Sequence, residues 1–260
     1  MCEACGCTVA PTDVDHSDEN KQTVDVLQRL LSANDRLAAH NRDHFEAHGV
    51  LALNLMSSPG AGKTALLEAT IDALKHEFRI AVIEGDLETE NDARRIRAHG
   101  VPAVQITTGS ACHLDARMVH DAVHEIGLGA LDLLFIENVG NLVCPASFDL
   151  GQHHNVVLLS VTEGDDKPEK YPVMFRIADL VLLTKMDLAP VMDDFDPPRA
   201  QAAIRALANA APVIEVSARQ PACIKPWLDW LRREAVKVRH PSRSHAQQAE
   251  HVHDHDPLLA

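Results

Sequence analysis

Short unbroken apolar runs alternate with amphipathic stretches along this chain, and that alternation predicts an α/β order. The runs Val50 to Met56, Ile80 to Glu84, Leu131 to Ile136 and Leu180 to Leu183 are each a strand's length and carry no polar alternation. Strands covered on both faces read this way. Helical periods occupy Ala65 to His76 and Leu114 to Ile126, and glycine or polar residues stand at the strand exits. Repeated strand and helix patterns give a mostly parallel sheet flanked by helices. Ahead of the first strand, Val24 to Phe45 reads as one helix, with Val24, Leu27, Leu31 and Ala38 on one stripe and Leu30 and Leu37 beside it. The stripe is expected to pack on the domain or on a sister subunit. The expected divisions are a flexible tail over 1–20, a helix over 21–48, the sheet domain over 49–238 and a polar, disordered, histidine-containing tail over 239–260.

The exit of the first strand carries chemistry. Ser57, Ser58, Pro59, Gly60, Ala61, Gly62, Lys63 and Thr64 form a phosphate loop between a strand and a helix that continues through Ala65, which makes the fold class a P-loop NTPase. Glycines let backbone N–H groups turn toward phosphate oxygens, Lys63 places a point charge on the β and γ phosphates, and the Thr64 hydroxyl is a ligand for Mg²⁺. Ser57 stands where the motif usually has its first glycine.

Base choice rests on Thr184, Lys185, Met186 and Asp187 after a buried-strand pattern. The stretch resembles the guanine-reading NKxD motif with Thr184 for Asn. A carboxylate at Asp187 accepts hydrogen bonds from guanine N1 and N2, and adenine has no matching donor pair at that edge. Four residues alone also fit an ordinary turn. Their place after a strand, with Ser217 and Ala218 closing the next, favours GTP. Asp86 and Glu137 follow strands of the same sheet, at the edge where open α/β sheets bind ligands, and are candidates to complete the magnesium site with Thr64. Glu137 with Gly140 resembles a DxxG switch with Glu for Asp, which makes the Gly140 N–H a γ-phosphate sensor. Lys63, Thr64, Asp86 and Glu137 are thus the candidate catalytic residues. No glutamine stands ready to orient an attacking water, so slow intrinsic hydrolysis is expected.

Two clusters have metal chemistry. Cys2, Cys5 and Cys7 form a CxxCGC start in which Gly6 allows three sulfurs to converge; three thiolates suit Ni²⁺ or Zn²⁺, and a redox pair or reactive tail fits the spacing as well. Cys112 and His113 precede a helix, and Cys144 lies four residues past Gly140. All three leave strand ends on one rim, so they can share a metal with an open position, although isolated buried cysteines are often structural. A γ-phosphate-driven shift at Gly140 would move one ligand.

Taken together, CxxCGC, SSPGAGKT, EGD at Glu84 to Asp86, TGSACHLDA at Thr108 to Ala116, ENVGNLVCPASFDLG at Glu137 to Gly151 and SVTEGDDKPEKYP at Ser160 to Pro172 resemble the HypB family of nickel-incorporation GTPases of [NiFe]-hydrogenase maturation. The resemblance runs from the N-terminal cysteines to Ser217. It implies a cytoplasmic GTPase that dimerises with GTP and works with a small zinc-containing accessory protein to deliver nickel to the hydrogenase large-subunit precursor. It also implies nickel at Cys2, Cys5 and Cys7, and nickel or zinc at Cys112, His113 and Cys144. Two departures stand out: Arg219, Gln220 and Pro221 replace a lysine- and glycine-rich continuation, and only His16 remains of the histidine-rich N-terminal stretch of many relatives.

A formal charge of −14 argues against a nucleic-acid or acidic-membrane partner and is compatible with gathering cations. No secretory core follows Met1 and no apolar run reaches membrane length, so a reducing cytoplasm is expected, with cysteines as ligands or buried thiols. His245, His251, His253 and His255 fit either weak Ni²⁺ binding or a solubilising tail. The alternatives are a urease-accessory type nickel GTPase, a passive nickel store and, more distantly, a small-molecule kinase.

Overall fold

Leu51, Leu53 and Leu55 turn to one side of the first strand and Ala52 to the other, and none of the four is exposed to solvent, as a strand covered on both faces requires. The computed structural model describes residues 16–86, 90–109 and 111–239. Cys2, Cys5, Cys7 and the four C-terminal histidines lie outside the described residues.

The chain divides into two units, residues 1–33 and 34–260. Described residues of the first unit form the opening half of α1 (His16–His48). The described part of this helix begins at His16.

In the second unit, α1 ends and is followed by β1 (Leu51–Met56), α2 (Lys63–Leu74), β2 (Ile80–Asp86), α3 (Asn91–Ala98), β3 (Ala103–Thr107), α4 (Ala116–Ile126) and β4 (Leu133–Glu137). Then come β5 (His154–Ser160), α5 (Lys167–Lys170), α6 (Pro172–Arg176), β6 (Leu180–Thr184), α7 (Pro197–Ala206), β7 (Val213–Glu215) and α8 (Pro221–Arg239). The strands make one sheet in the order β3-β2-β4-β1-β5-β6-β7, with every pairing parallel. The P-loop α/β architecture expected from the runs is the one observed.

One core packs α2, α3 and α8 on the sheet, closed by Trp227, whose indole N–H donates to Thr70 Oγ1 at 2.9 Å. The opposite face carries α4 and, from α1, Phe45. Burying each large apolar side chain contributes about 1.5–3 kcal/mol, so strands apolar on both faces hold the sheet edge rigidly. Over residues 28–48 the buried positions are Asn34, Ala38, Asn41 and Phe45, so of the expected stripe Ala38 is buried and Leu31 partly buried. Asn41 is spent inward, its amide donating to the carbonyls of Ala116 at 2.9 Å and Leu150 at 3.1 Å. Among the described residues no helix is long and apolar enough to cross a membrane.

Candidate functional site

Parallel pairing brings the carboxyl ends of β1, β2, β4, β5 and β6 to one rim, and the site is built there. Gly60 and Gly62 adopt φ of +77° and +97°, which lets the loop after β1 wrap over the start of α2. Lys63 is buried at that start, and its ammonium donates to Ser57 Oγ at 3.0 Å. The serine that replaces the usual glycine therefore holds the lysine across the loop.

Thr64 Oγ1 donates to Glu137 Oε1 at 3.0 Å. Register sets a second carboxylate beside it: Glu84 on β2 is the direct pairing partner of Glu137 on β4. Both are at most 5% exposed. Burial first, and then the charge of Glu137, pushes the Glu84 carboxyl up to about 11. Burial likewise raises Glu137, against the hydrogen bond with Glu84 and the pull of Lys63 and Thr64. The pair therefore holds a proton at neutral pH. Glu84 and Glu137 hydrogen-bond each other through that proton, and Glu84 Oε1 and Glu137 Oε2 have no further partner among the described residues. Both residues line a cavity of about 400 Å³, together with Lys63, Thr64 and Asp86. Hard oxygen donors beside a phosphate loop fit a magnesium ion. Glu84 stands in the EGD run, yet no role was expected of it; only the register reveals the pair.

A second cavity of about 250 Å³ adjoins the first through Gly62 and Ala65 and is lined by Ala61, Thr184, Lys185, Asp187 and Ala218. Thr184 Oγ1 donates to the Ala61 carbonyl at 2.7 Å. Lys185, a non-glycine residue at φ +58°, sends its ammonium to the Gly60 carbonyl at 2.7 Å. Such a conformation is uncommon and here lays the lysine stem along the phosphate loop. Ser217 Oγ donates to Asp187 Oδ1 at 2.6 Å, which orients the carboxylate and leaves Oδ2 for another donor. The two cavities share Gly62 and Ala65 in their linings, with Lys63, Thr64 and carboxylates around the first and Asp187 in the second.

Cys112, His113 and Cys144 also converge: their candidate ligand atoms lie within 4.8 Å of one another, with Cys112 Sγ 3.8 Å from His113 Nδ1. Phe148 stacks on the imidazole at 3.9 Å between ring centroids. The hydrogen bond with Cys112, then burial, raises the Cys144 thiol, while burial lowers His113. In the metal-free protein one thiol thus keeps its proton, and a neutral imidazole keeps its lone pair. Thiolate, imidazole and thiolate suit a soft or borderline divalent metal with one position open.

Two asparagines join the two centres. Asn138 is buried; its Oδ1 accepts from the N–H groups of Val139 at 3.0 Å and Leu114 at 3.1 Å, and its amide donates to Asn54 Oδ1 at 3.1 Å. Asn141 donates to the Cys112 carbonyl at 3.3 Å and accepts from the Val143 N–H at 2.9 Å. Between them sits Gly140, where an added Cβ would lie 3.0 Å from Pro59 Cα and N. The segment that starts at Glu137 thus touches the phosphate loop on one side and the Cys112 loop on the other. Asn138 and Asn141 had no expected role. Their clue was two amides inside an otherwise apolar strand exit.

The family model for the CobW/HypB/UreG nucleotide-binding domain matches residues 51–215. The hydrogenase maturation factor HypB of Azotobacter chroococcum mcd 1 is 55% identical over 213 residues, which cover 81% of this chain and 69% of the relative. HypB of Azotobacter vinelandii is 56% identical over 209 residues, covering 80% and 69%. Among solved structures, a crystal structure of HypB from Helicobacter pylori in complex with nickel matches with a TM-score of 0.74 at 43% identity, covering 82% of this chain and 98% of that one.

Proposed function

This chain belongs to the CobW/HypB/UreG family, and within it to the HypB hydrogenase maturation factors, and we infer that it is a GTP-hydrolysing carrier that inserts nickel into the [NiFe]-hydrogenase large-subunit precursor. The observation that carries this reading is the asparagine-braced segment Glu137 to Cys144, which contacts the phosphate loop through Gly140 and the Cys112 loop through Asn141. A change at the γ-phosphate then alters the distance of Cys144 from Cys112 and His113.

In this reading guanine occupies the cavity beside Asp187, whose orientation by Ser217 favours acceptance from N1 and N2. Phosphates lie over Gly60, Ala61, Gly62, Lys63 and Thr64, with the Gly140 N–H facing the γ-phosphate. Thr64, Asp86 and Glu137 hold magnesium, joined by Glu84, and the ion's role is to neutralise charge developing on the phosphates. Turnover is slow because, among the described residues, no glutamine lines the phosphate cavity to orient water. Nickel or zinc is the cargo at Cys112, His113 and Cys144, and Cys2, Cys5 and Cys7 form the second thiolate site. GTP-driven pairing of two chains and handover with a small zinc-containing accessory protein complete the scheme. The reaction takes place in the cytoplasm.

The test is the rate of Ni²⁺ loss from reduced protein to a colorimetric chelator, with GDP or a non-hydrolysable GTP analogue, both with Mg²⁺. Nucleotide-dependent release that disappears in Cys112→Ala with Cys144→Ala is the expected result. Equal rates with both nucleotides would leave a passive nickel store as the better reading.

A further inference from the structure

Five histidines outside the thiolate site gather on two helices. His40, His44 and His48 are spaced four apart along α1, and His120 and His124 four apart along α4. A spacing of four puts side chains on one helix face. The two faces meet: the rings of His40 and His120 are 5.3 Å apart, and His44 lies 6.4 Å from His120 and 6.0 Å from His124. His40 and His44 have ring centroids 4.3 Å apart, and His120 and His124 4.4 Å apart with their Nε2 atoms at 3.1 Å.

The surrounding hydrogen bonds decide which nitrogen is free. Both protons of the buried Asn41 amide go to the Ala116 and Leu150 carbonyls, so its Oδ1 faces His120 Nδ1 at 3.2 Å and can only accept. His120 must therefore carry its proton on Nδ1 when neutral, and its Nε2 presents a lone pair toward His124. A fixed partner on the far nitrogen is how proteins orient a metal-binding imidazole. Burial and neighbouring rings lower His44 and His120 from the ordinary histidine value, which keeps them neutral at pH 7. An N–H···N hydrogen bond from His124 accounts for the pair in the absence of a cation. A cation uses the same geometry: nitrogens ~2.0–2.1 Å from a shared ion and 3.1 Å apart subtend roughly 95–100°, the angle of adjacent positions in square-planar or octahedral coordination.

We propose that His120 and His124 form a two-imidazole site, completed by water, for a borderline divalent cation, Ni²⁺ being the probe, separate from the thiolate site and independent of nucleotide. The nitrogens of His44 stand farther off, since among the described residues only Cys112, His113 and Cys144 bring three such ligand atoms within 4.8 Å. Imidazoles without thiolate exchange such ions faster than cysteines do, so the cluster is suited to collecting the ion before the thiolates take it.

The experiment uses the full chain in two backgrounds, native and with Cys2, Cys5, Cys7, Cys112, Cys144 and Cys223 all changed to Ala. Ni²⁺ is titrated calorimetrically into each, with and without His120→Ala plus His124→Ala, and circular dichroism checks the fold. Loss of one Ni²⁺ equivalent, or at least a tenfold weaker step, is expected in the double variant of either background, and X-ray absorption of the cysteine-free chain should show nitrogen and oxygen ligands only. His124→Gln alters one exposed side chain and tests the same step where the double variant folds poorly. Unchanged stoichiometry and affinity in His124→Gln or the folded double variant would overturn the site and assign residual Ni²⁺ to other histidines.

Discussion

Replacing Glu84 with Gln should flatten the dependence of stability on pH. Glu84 and Glu137 face each other across β2 and β4, both out of solvent, and the Glu84 carboxyl is pushed from 4.5 up to about 11. A carboxyl whose folded value lies above its unfolded one binds more protons in the native state. Stability is then lost as pH rises from the unfolded value, about 4.5, toward about 11. The loss approaches 1.36 kcal/mol per pH step, or about 3 kcal/mol between about pH 7 and 9, a window in which histidines contribute little. Gln has nearly the same shape, needs no proton and can donate to the Glu137 carboxylate. Nucleotide-free, magnesium-free protein should therefore lose about 1 M or more in urea midpoint from about pH 7 to 9 as wild type and much less as E84Q, with equal slopes m. At neutral pH the variant should be the more stable apo protein and the weaker binder of magnesium nucleotide. Parallel pH dependence in the two proteins would refute the shared-proton pair.

Three further outcomes follow. Gly140→Ala places a Cβ 3.0 Å from Pro59 backbone, which cannot yield cheaply; a stability loss of about 1–3 kcal/mol and at least a tenfold weaker response to GTP over GDP should appear in melting and nucleotide titration. Asp187→Ala should weaken GTP binding by roughly 10–100-fold in calorimetry with no change in the melt, the cost of charge-assisted hydrogen bonds, and unchanged affinity would remove the base-reading role. Asn138→Ala strands the N–H groups of Leu114 and Val139 and should cost on the order of 3 kcal/mol. In the same variant Ni²⁺ release should become indifferent to nucleotide, and a retained GTP effect would mean that the coupling runs elsewhere.

Much of this molecule was legible along the chain because the signals are local. Apolar runs such as Val50 to Met56 read as strands because period and length are properties of consecutive residues, and Gly60 to Thr64 read as a phosphate loop because its geometry is made by neighbours in sequence. Lys185 and Asp187 were legible by type, though the left-handed backbone at Lys185 was not, since ordinary propensity argues against it. What the tertiary structure alone decided is which distant groups face each other. Glu84 meets Glu137 through the β2–β4 register, and a one-residue slip would turn one of them to the other face. Cys144 reaches Cys112 and His113 across two loops from different strands, and His44 reaches His120 and His124 through the packing of α1 on α4. Composition and spacing specified the chemistry of each group. Strand register and helix packing, which no local period encodes, specified their distances, and with those distances the shared proton, the thiolate–imidazole convergence and the histidine cluster.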